Sequence, residues 1–153
     1  MLVGPAGVGK TALIHAVSEP DAFVIDPFER VSSRQASAIR RSMDRNGLWI
    51  AAARTRERAR LGHVGRIAWR FEVVRMPPLS DYWMRRLISR AAADAGIGAA
   101  ITSDWLRDAL QLSAGLPGRA LEMVSQAAAR RHDRGLAAPA TLYIESAIQQ
   151  VMR

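Results

Sequence analysis

Up to about residue 76, short unbroken apolar runs alternate with apolar positions at helical spacing; beyond that point only helical spacing remains. Met1 to Gly4 supplies the tail of a strand. Lys10 to Ser18 reads as a short helix with Ala12, Leu13, Ala16 and Val17 apolar, stopped by Pro20. Ala22-Phe23-Val24-Ile25 runs unbroken into Asp26, the pattern of a strand buried on both faces. Ser32, with Gln35 three residues on, resembles a capping box. It opens a helix whose inner face is Ala36, Ile39 and Met43 and which Asn46-Gly47 ends. Leu48 to Ala53 reads as another buried strand, and Phe71 to Arg75 as a further one centred on Val73 and Val74. Strands alternating with helices predict an α/β fold, a parallel sheet with helices on its faces.

Met76-Pro77-Pro78-Leu79 interrupts this pattern. Two prolines neither continue a helix nor donate to a sheet ladder, so a boundary is expected there, between an α/β domain over 1–76 and a small all-α domain over 77–153. In the second domain Ser80 caps a helix to about Ala95, which Gly96-Ile97-Gly98 breaks. Ser103 caps another, bearing Trp105, Leu106, Leu110 and Leu112. Leu116-Pro117-Gly118 opens a third with Leu121, Val124 and Ala128 on one face. A fourth, from about Ala140 to Met152, carries Ile144, Ala147, Ile148 and Val151. The sequence has no internal repeat and no low-complexity linker.

Composition narrows the class. The 153 residues are 49% apolar and 24% charged, ordinary values for a globular protein. No apolar run approaches the roughly 18 residues that cross a bilayer, and the amino terminus lacks the basic flank and apolar stretch of a signal peptide. Without cysteine there is neither a disulfide framework nor a thiolate metal site. A cytoplasmic protein without a membrane partner fits these features. Formal net charge is +8, from 22 basic against 14 acidic side chains, and every basic residue but one is arginine. Arginine's planar fork grips phosphate in bidentate fashion, so the surplus suits nucleic acid. Arginine-for-lysine drift in a GC-rich genome is the competing account; it explains the choice of cation but not the size of the charge. Arg54, Arg56, Arg58, Arg60, Arg66 and Arg70 place six positive charges in 17 residues, with Glu57 the only acid among them.

The one lysine, Lys10, falls within Gly4-Pro5-Ala6-Gly7-Val8-Gly9-Lys10-Thr11, which satisfies G-x-x-x-x-G-K-[ST] at every fixed position. Glycines let such a loop wrap phosphates with successive N–H groups turned inward, and the helix that follows adds its positive end. Lys10 is expected to place a point charge on the β and γ phosphates, and Thr11 to complete a magnesium shell. The motif lies between a strand tail and an apolar helix, the context it needs. The expected ligand is ATP or GTP with Mg2+. A loop of this kind also needs a carboxylate at the end of a neighbouring strand to hold the metal through water, and Asp26 fits. Where many hydrolysing members add a glutamate after that aspartate, this chain has Pro27; the nearest acid, Glu29, is a candidate base or simply a solvated acid on a helix flank.

In this order of parts the chain resembles the AAA+ ATPases. Gly4–Thr11 looks like their Walker A motif and Ile25-Asp26 like Walker B. Leu48 to Thr55 is similar to the strand carrying the polar sensor 1 residue, for which Thr55 is the closest candidate. Arg70-Phe71, then Met76-Pro77-Pro78-Leu79-Ser80, is similar to the segment running into the family's helical lid. Gly115-Leu116-Pro117-Gly118-Arg119 is similar to the sensor 2 signature. The resemblance implies a reduced P-loop sheet followed by a lid, with ATP and Mg2+ as cofactors. It implies that Arg119 reaches the γ-phosphate from the lid and that Arg70, or Arg66 one turn earlier, acts as an arginine finger on a neighbouring protomer's nucleotide. In so crowded a stretch each arginine reads equally as facing solvent or nucleic acid.

Two departures stand out. Only 14 residues separate Thr11 from Asp26, where the family fits a helix, a strand and another helix. Loss of that edge strand from the family order 5-1-4-3-2 would leave 5-1-4-3. The first strand is also cut to Met1-Leu2-Val3, which suggests a fragment, a misassigned start or a reduced homologue. Within the family, the compact lid and basic charge look most like transposition-regulator ATPases and their secretion-linked relatives. That likeness implies a slow ATPase that oligomerises on double-stranded DNA and engages a protein such as a transposase. Asp26-Pro27-Phe28-Glu29-Arg30 also resembles STAND-type signalling ATPases, implying a nucleotide switch that acts on protein partners. A degenerate ATPase fold kept as an interaction module is the third expectation.

Overall fold

Four of the apolar runs pair as strands in the computed structural model, which describes residues 1–45, 47–130 and 136–151. The expected helix stop at Asn46 and helix end at Met152 lie outside the described residues. The strands are β1 (Leu2–Val3), β2 (Phe23–Ile25), β3 (Trp49–Ala53) and β4 (Val74–Arg75), in the order β2-β3-β1-β4. Every pairing is parallel, with Phe23 opposite Trp49, Leu2 opposite Ala52, and Leu2 also opposite Val74. The chain is thus α/β, a four-stranded parallel sheet flanked by helices. It divides into two compact units, Met1–Pro77 and Pro78–Arg153.

Strand alternation sorts the first unit's side chains. One sheet face carries Met1, Val3, Ile25, Ala51 and Ala53 into a core with Phe28, Ala36, Leu61, Val64, Ile67 and Phe71. That face is covered by α2 (Ser33–Ser42) and by the short 3-10 turns Arg58–Arg60, Gly62–Arg66 and Ala68–Arg70. Ser32 closes a reciprocal capping box with Gln35 at the start of α2. Opposite it, α1 (Lys10–Val17) buries Ile14 alone.

Several sequence expectations are corrected here. The run at 22–25 is not buried on both faces. It forms the sheet edge, bonded to β3 alone, with Phe23 53% and Val24 43% exposed. The expected strand Phe71–Arg75 contracts to Val74–Arg75, because its partner β1 offers only two residues and a ladder is no longer than its shorter strand. Phe71 is instead buried, edge-on to Phe28 with ring centroids 5.2 Å apart. The apolar stripe expected on α1 is largely open, Leu13 and Val17 both being exposed.

The second unit is all helical: α3 (Asp81–Asp94), α4 (Ser103–Ser113), α5 (Pro117–Ala129) and α6 (Pro139–Val151). Its core joins Met84, Ile88, Trp105, Leu110, Met123, Val124 and Leu142, among others. Ser80 is the N-cap residue of α3 but makes no side-chain cap bond. Thr102, rather than Ser103, caps α4; its hydroxyl accepts the Trp105 N–H at 3.1 Å. On α5 the inner face is Ala120, Met123, Val124 and Ala127, leaving Leu121 exposed. On α6 Pro139, Leu142 and Ser146 are buried, and the expected stripe of Ile144, Ala147 and Ile148 is exposed. Residues two apart on a helix lie about 200° around its axis, so those two stripes are on opposite sides. Among the described residues, no helix is long and apolar enough to cross a membrane.

Candidate functional site

The loop between β1 and α1 has the backbone its spelling requires. Gly7 and Gly9 adopt φ of 78° and 101°, a left-handed region that side-chain-bearing residues rarely enter. Gly4 has ordinary dihedrals but no room, since a Cβ there would lie 2.6 Å from the carbonyl oxygen of Met76. Its N–H donates to the Ala53 carbonyl at 3.2 Å, tying the loop to the end of β3. Val8 turns inward and is 3% exposed, whereas Pro5, Ala6 and Gly7 face solvent. The loop is anchored by one buried side chain, with Pro5, Ala6 and Gly7 exposed.

Lys10 opens α1. Its ammonium donates to the carbonyls of Gly4 at 2.8 Å and Pro5 at 2.9 Å, so it lies folded over the loop. Partial burial pushes its pKa below the ordinary lysine value; the carboxylates of Asp26 and Glu29 oppose this, and Arg54 adds to it. The Thr11 hydroxyl donates to Asp26 Oδ2 at 2.5 Å. Two residues 15 apart in sequence therefore present oxygens at one point, beside an ammonium.

That pair is the metal candidate. Magnesium keeps several waters and takes only one or two protein oxygens besides those of a phosphate. A hydroxyl and a carboxylate side by side fit that demand. Among the described residues no cluster of three or more histidine, cysteine or acidic side chains offers an all-protein cage.

Beyond Asp26 the chain passes through the cis Asp26–Pro27 peptide to Phe28, which is fully buried. Phe28 fixes the segment and places Glu29 beside the end of β3, where its carboxylate accepts the Arg54 N–H. Glu29, Arg54 and Thr55 line a cavity of about 350 Å³ with Pro27, Arg30 and Arg60. The Thr55 hydroxyl accepts the Glu57 N–H at 3.1 Å. Sequence reasoning placed Arg54 only in the basic stretch and missed its bond to Glu29, although its position directly after the strand that Gly4 is tied to was the available signal.

Other arginines are held elsewhere. Arg70 is ion-paired to Asp44 at 2.8 Å with its side chain 29% exposed, and the structure does not bring it to Lys10. Arg66 lines a different cavity with Arg56 and Arg58. Arg119 belongs to the second unit, where its guanidinium lies 5.8 Å from the centre of the Tyr143 ring and borders a small cavity with Glu122 and Ser146. The chain matches no protein-family model and no curated protein sequence.

Proposed function

We propose that this chain binds Mg-ATP through Gly4–Thr11 and works as an AAA+-type P-loop ATPase whose nucleotide state governs oligomerisation on DNA, in the manner of a transposition regulator. The observation that carries the reading is the meeting of Lys10, Thr11 and Asp26 at the mouth of a glycine loop with two left-handed residues. Consecutive N–H groups of such a loop form an anion nest. Lys10 would exchange its two carbonyl partners for phosphate oxygens, while Thr11 and Asp26 would hold the metal, whose contribution is to neutralise charge on the phosphates. The order β2-β3-β1-β4 adds support, because removal of the edge strand from the family order 5-1-4-3-2 leaves this arrangement. The arginine-rich stretch supports the nucleic-acid half through counterion release along a phosphate backbone.

Titration of Mg-ATP into the full chain and into Lys10→Ala tests the first half. Saturable binding is expected in the first and its loss in the second; equal binding refutes the assignment. Nucleotide-dependent assembly on duplex DNA tests the other half. Arg70→Ala is expected to lose assembly while a single protomer still binds nucleotide.

One observation favours a second reading, a nucleotide switch of the STAND type that acts on protein partners with little hydrolysis. Position 27 carries no acid, and the nearest carboxylate, Glu29, is already committed to the Arg54 backbone. Assembly that needs Mg-ATP but no DNA would select this reading.

A further inference from the structure

Four arginines of the 54–70 stretch have no ion-pair partner among the described residues, and three of them, Arg56, Arg58 and Arg66, meet around one cavity. Arg60 is paired with Glu57 and Arg70 with Asp44, whereas Arg56, Arg58 and Arg66 line a space of about 470 Å³ together with Trp69 and Phe71. Trp69 is 79% exposed. Its indole N–H donates to the Arg66 carbonyl at 3.0 Å. A bond of that kind lies in the ring plane, so it ties down the edge of the indole and spares its faces.

The place of Arg58 is also built. A Cβ on Gly65 would lie 2.9 Å from both the Arg58 Cγ and the Arg58 carbonyl oxygen. Only a glycine there lets the two 3-10 turns close on each other and bring Arg58 to the same cavity as Arg66. Behind the cavity Phe71 is locked against Phe28 in the core, which gives it a firm wall.

We infer that this cavity binds single-stranded nucleic acid, one base stacking on Trp69 while Arg56, Arg58 and Arg66 hold the flanking phosphates. A fixed, open aromatic face among unpaired cations is the combination that single strands require, since every base has a π face and the cations follow the backbone. A duplex keeps its bases stacked on one another and would use the arginines but leave Trp69 idle. The inference deepens the nucleic-acid half of the proposed function and rests on it, but changes the favoured form of the partner and needs no nucleotide in the Gly4–Thr11 loop.

Fluorescence anisotropy on the full chain without ATP tests this, with an oligothymidylate of about 12 nucleotides, a duplex of equal length, and thymidine 5′-monophosphate as competitor. The oligothymidylate is expected to bind more tightly than the duplex. Its log affinity should fall with log salt at a slope of about −2, from three contacts at about −0.7 each. Trp69→Ala should weaken it roughly tenfold, within the range of one lost base stack, with the salt slope unchanged. Trp69→Phe should recover most of that loss. Exposure of Trp69 makes these variants safe for folding, and a far-ultraviolet spectrum identical to that of the parent confirms it. Arg56→Gln, Arg58→Gln and Arg66→Gln together should flatten the slope. Equal duplex and oligothymidylate affinity, or indifference to Trp69→Ala, overturns the inference while leaving a duplex-binding regulator intact. Competition by the monophosphate at the same nucleotide concentration as the oligomer also overturns it and assigns the cavity to a free nucleotide. Failure to bind either nucleic acid without ATP overturns the inference, and failure with Mg-ATP added as well removes the nucleic-acid half of the proposed function, while Mg-ATP titration reports on the loop independently.

Discussion

Lys10 offers the most searching test of the proposed function, because its charge is uncomfortable in the free protein and would be needed by a phosphate. Its ammonium makes two hydrogen bonds to carbonyls of an open loop, and burial nevertheless holds its pKa below the unfolded value. A lysine with a lowered folded-state pKa penalises folding at every pH where it is charged in both states. The penalty is relieved as pH rises through the folded pKa towards about 10.4, since the unfolded chain then holds more protons. Lys10→Ala removes that penalty and leaves two carbonyls that water can reach. The free variant should therefore be about as stable as the parent near pH 7.

With Mg-ATP the balance reverses. Losing an ammonium bonded to phosphate costs about 3 kcal/mol, or on the order of a hundredfold in Kd. At a concentration 100 times the parent's Kd the parent gains about 2.7 kcal/mol, whereas the variant, close to its own Kd, gains about 0.4 kcal/mol. For a melting unit the size of Met1–Pro77, each kcal/mol moves Tm by about 4–8 °C. The expected rises are thus about 11–22 °C for the parent and about 2–3 °C for the variant. Differential scanning fluorimetry reads both. Since Lys10 is the only lysine, selective isotope labelling gives one ammonium signal, whose midpoint should move up when Mg-ATP binds and whose deprotonation should weaken binding at alkaline pH. A Lys10→Ala chain with an undiminished thermal shift refutes the reasoning.

Four further outcomes follow from the geometry. Gly4→Ala should destabilise the first unit by about 1–3 kcal/mol through overpacking against Met76. Gly9→Ala, which meets no neighbour but must hold a φ of 101°, should cost about 1–2 kcal/mol; two-state urea curves compare them. Turnover of Mg-ATP by the isolated chain should stay below about 1 s⁻¹, and Glu29→Gln should change it little; a phosphate-release assay showing faster turnover would mean the catalytic acid is misassigned. Thr102→Ala should cost about 1 kcal/mol as a lost helix cap and Ser103→Ala much less, measured as separate melts of the second unit.

The turn of the Gly4–Thr11 loop was legible because its spelling encodes backbone geometry directly. Gly7 and Gly9 must turn left-handed, and a lysine and a hydroxyl must follow at the helix start. Local chemistry of this kind needs no knowledge of the rest of the chain. The same holds for the Ser32–Gln35 box, where both partners lie within one helical turn. What sequence did not yield depends on distant neighbours. The run at 22–25 reads as a buried strand because its residues are apolar, but burial depends on whether a further strand lies beside it. Phe71 has strand propensity, yet strand length is set by β1, 70 residues away, and the ring is better placed against Phe28.

The arginine stretch joins these two cases. Its composition revealed a concentration of positive charge but not which guanidiniums are free, because pairing is decided by acids at unrelated positions. Asp44 takes Arg70, Glu57 takes Arg60, and the Arg54 N–H donates to the Glu29 carboxylate. Six equivalent charges thus separate into an arginine bearing on the loop lysine, two in ion pairs, and three around Trp69. The two ion pairs are not equal. Arg60 and Glu57 are both well exposed, and such a pair contributes little, so phosphate can displace Glu57 at small cost. Arg70 has its side chain 29% exposed although Asp44 is 63% exposed, so drawing Arg70 into another protomer's site means breaking a bond shielded on the arginine side. If Arg70 is the finger, assembly has to supply the free energy of that exchange, and Asp44→Asn should make assembly easier. If Asp44→Asn leaves assembly unchanged while Arg66→Ala abolishes it, the finger is Arg66, and the Arg70–Asp44 pair serves only to tie the end of the 3-10 turn Ala68–Arg70 to the turn Met43–Arg45 that follows α2.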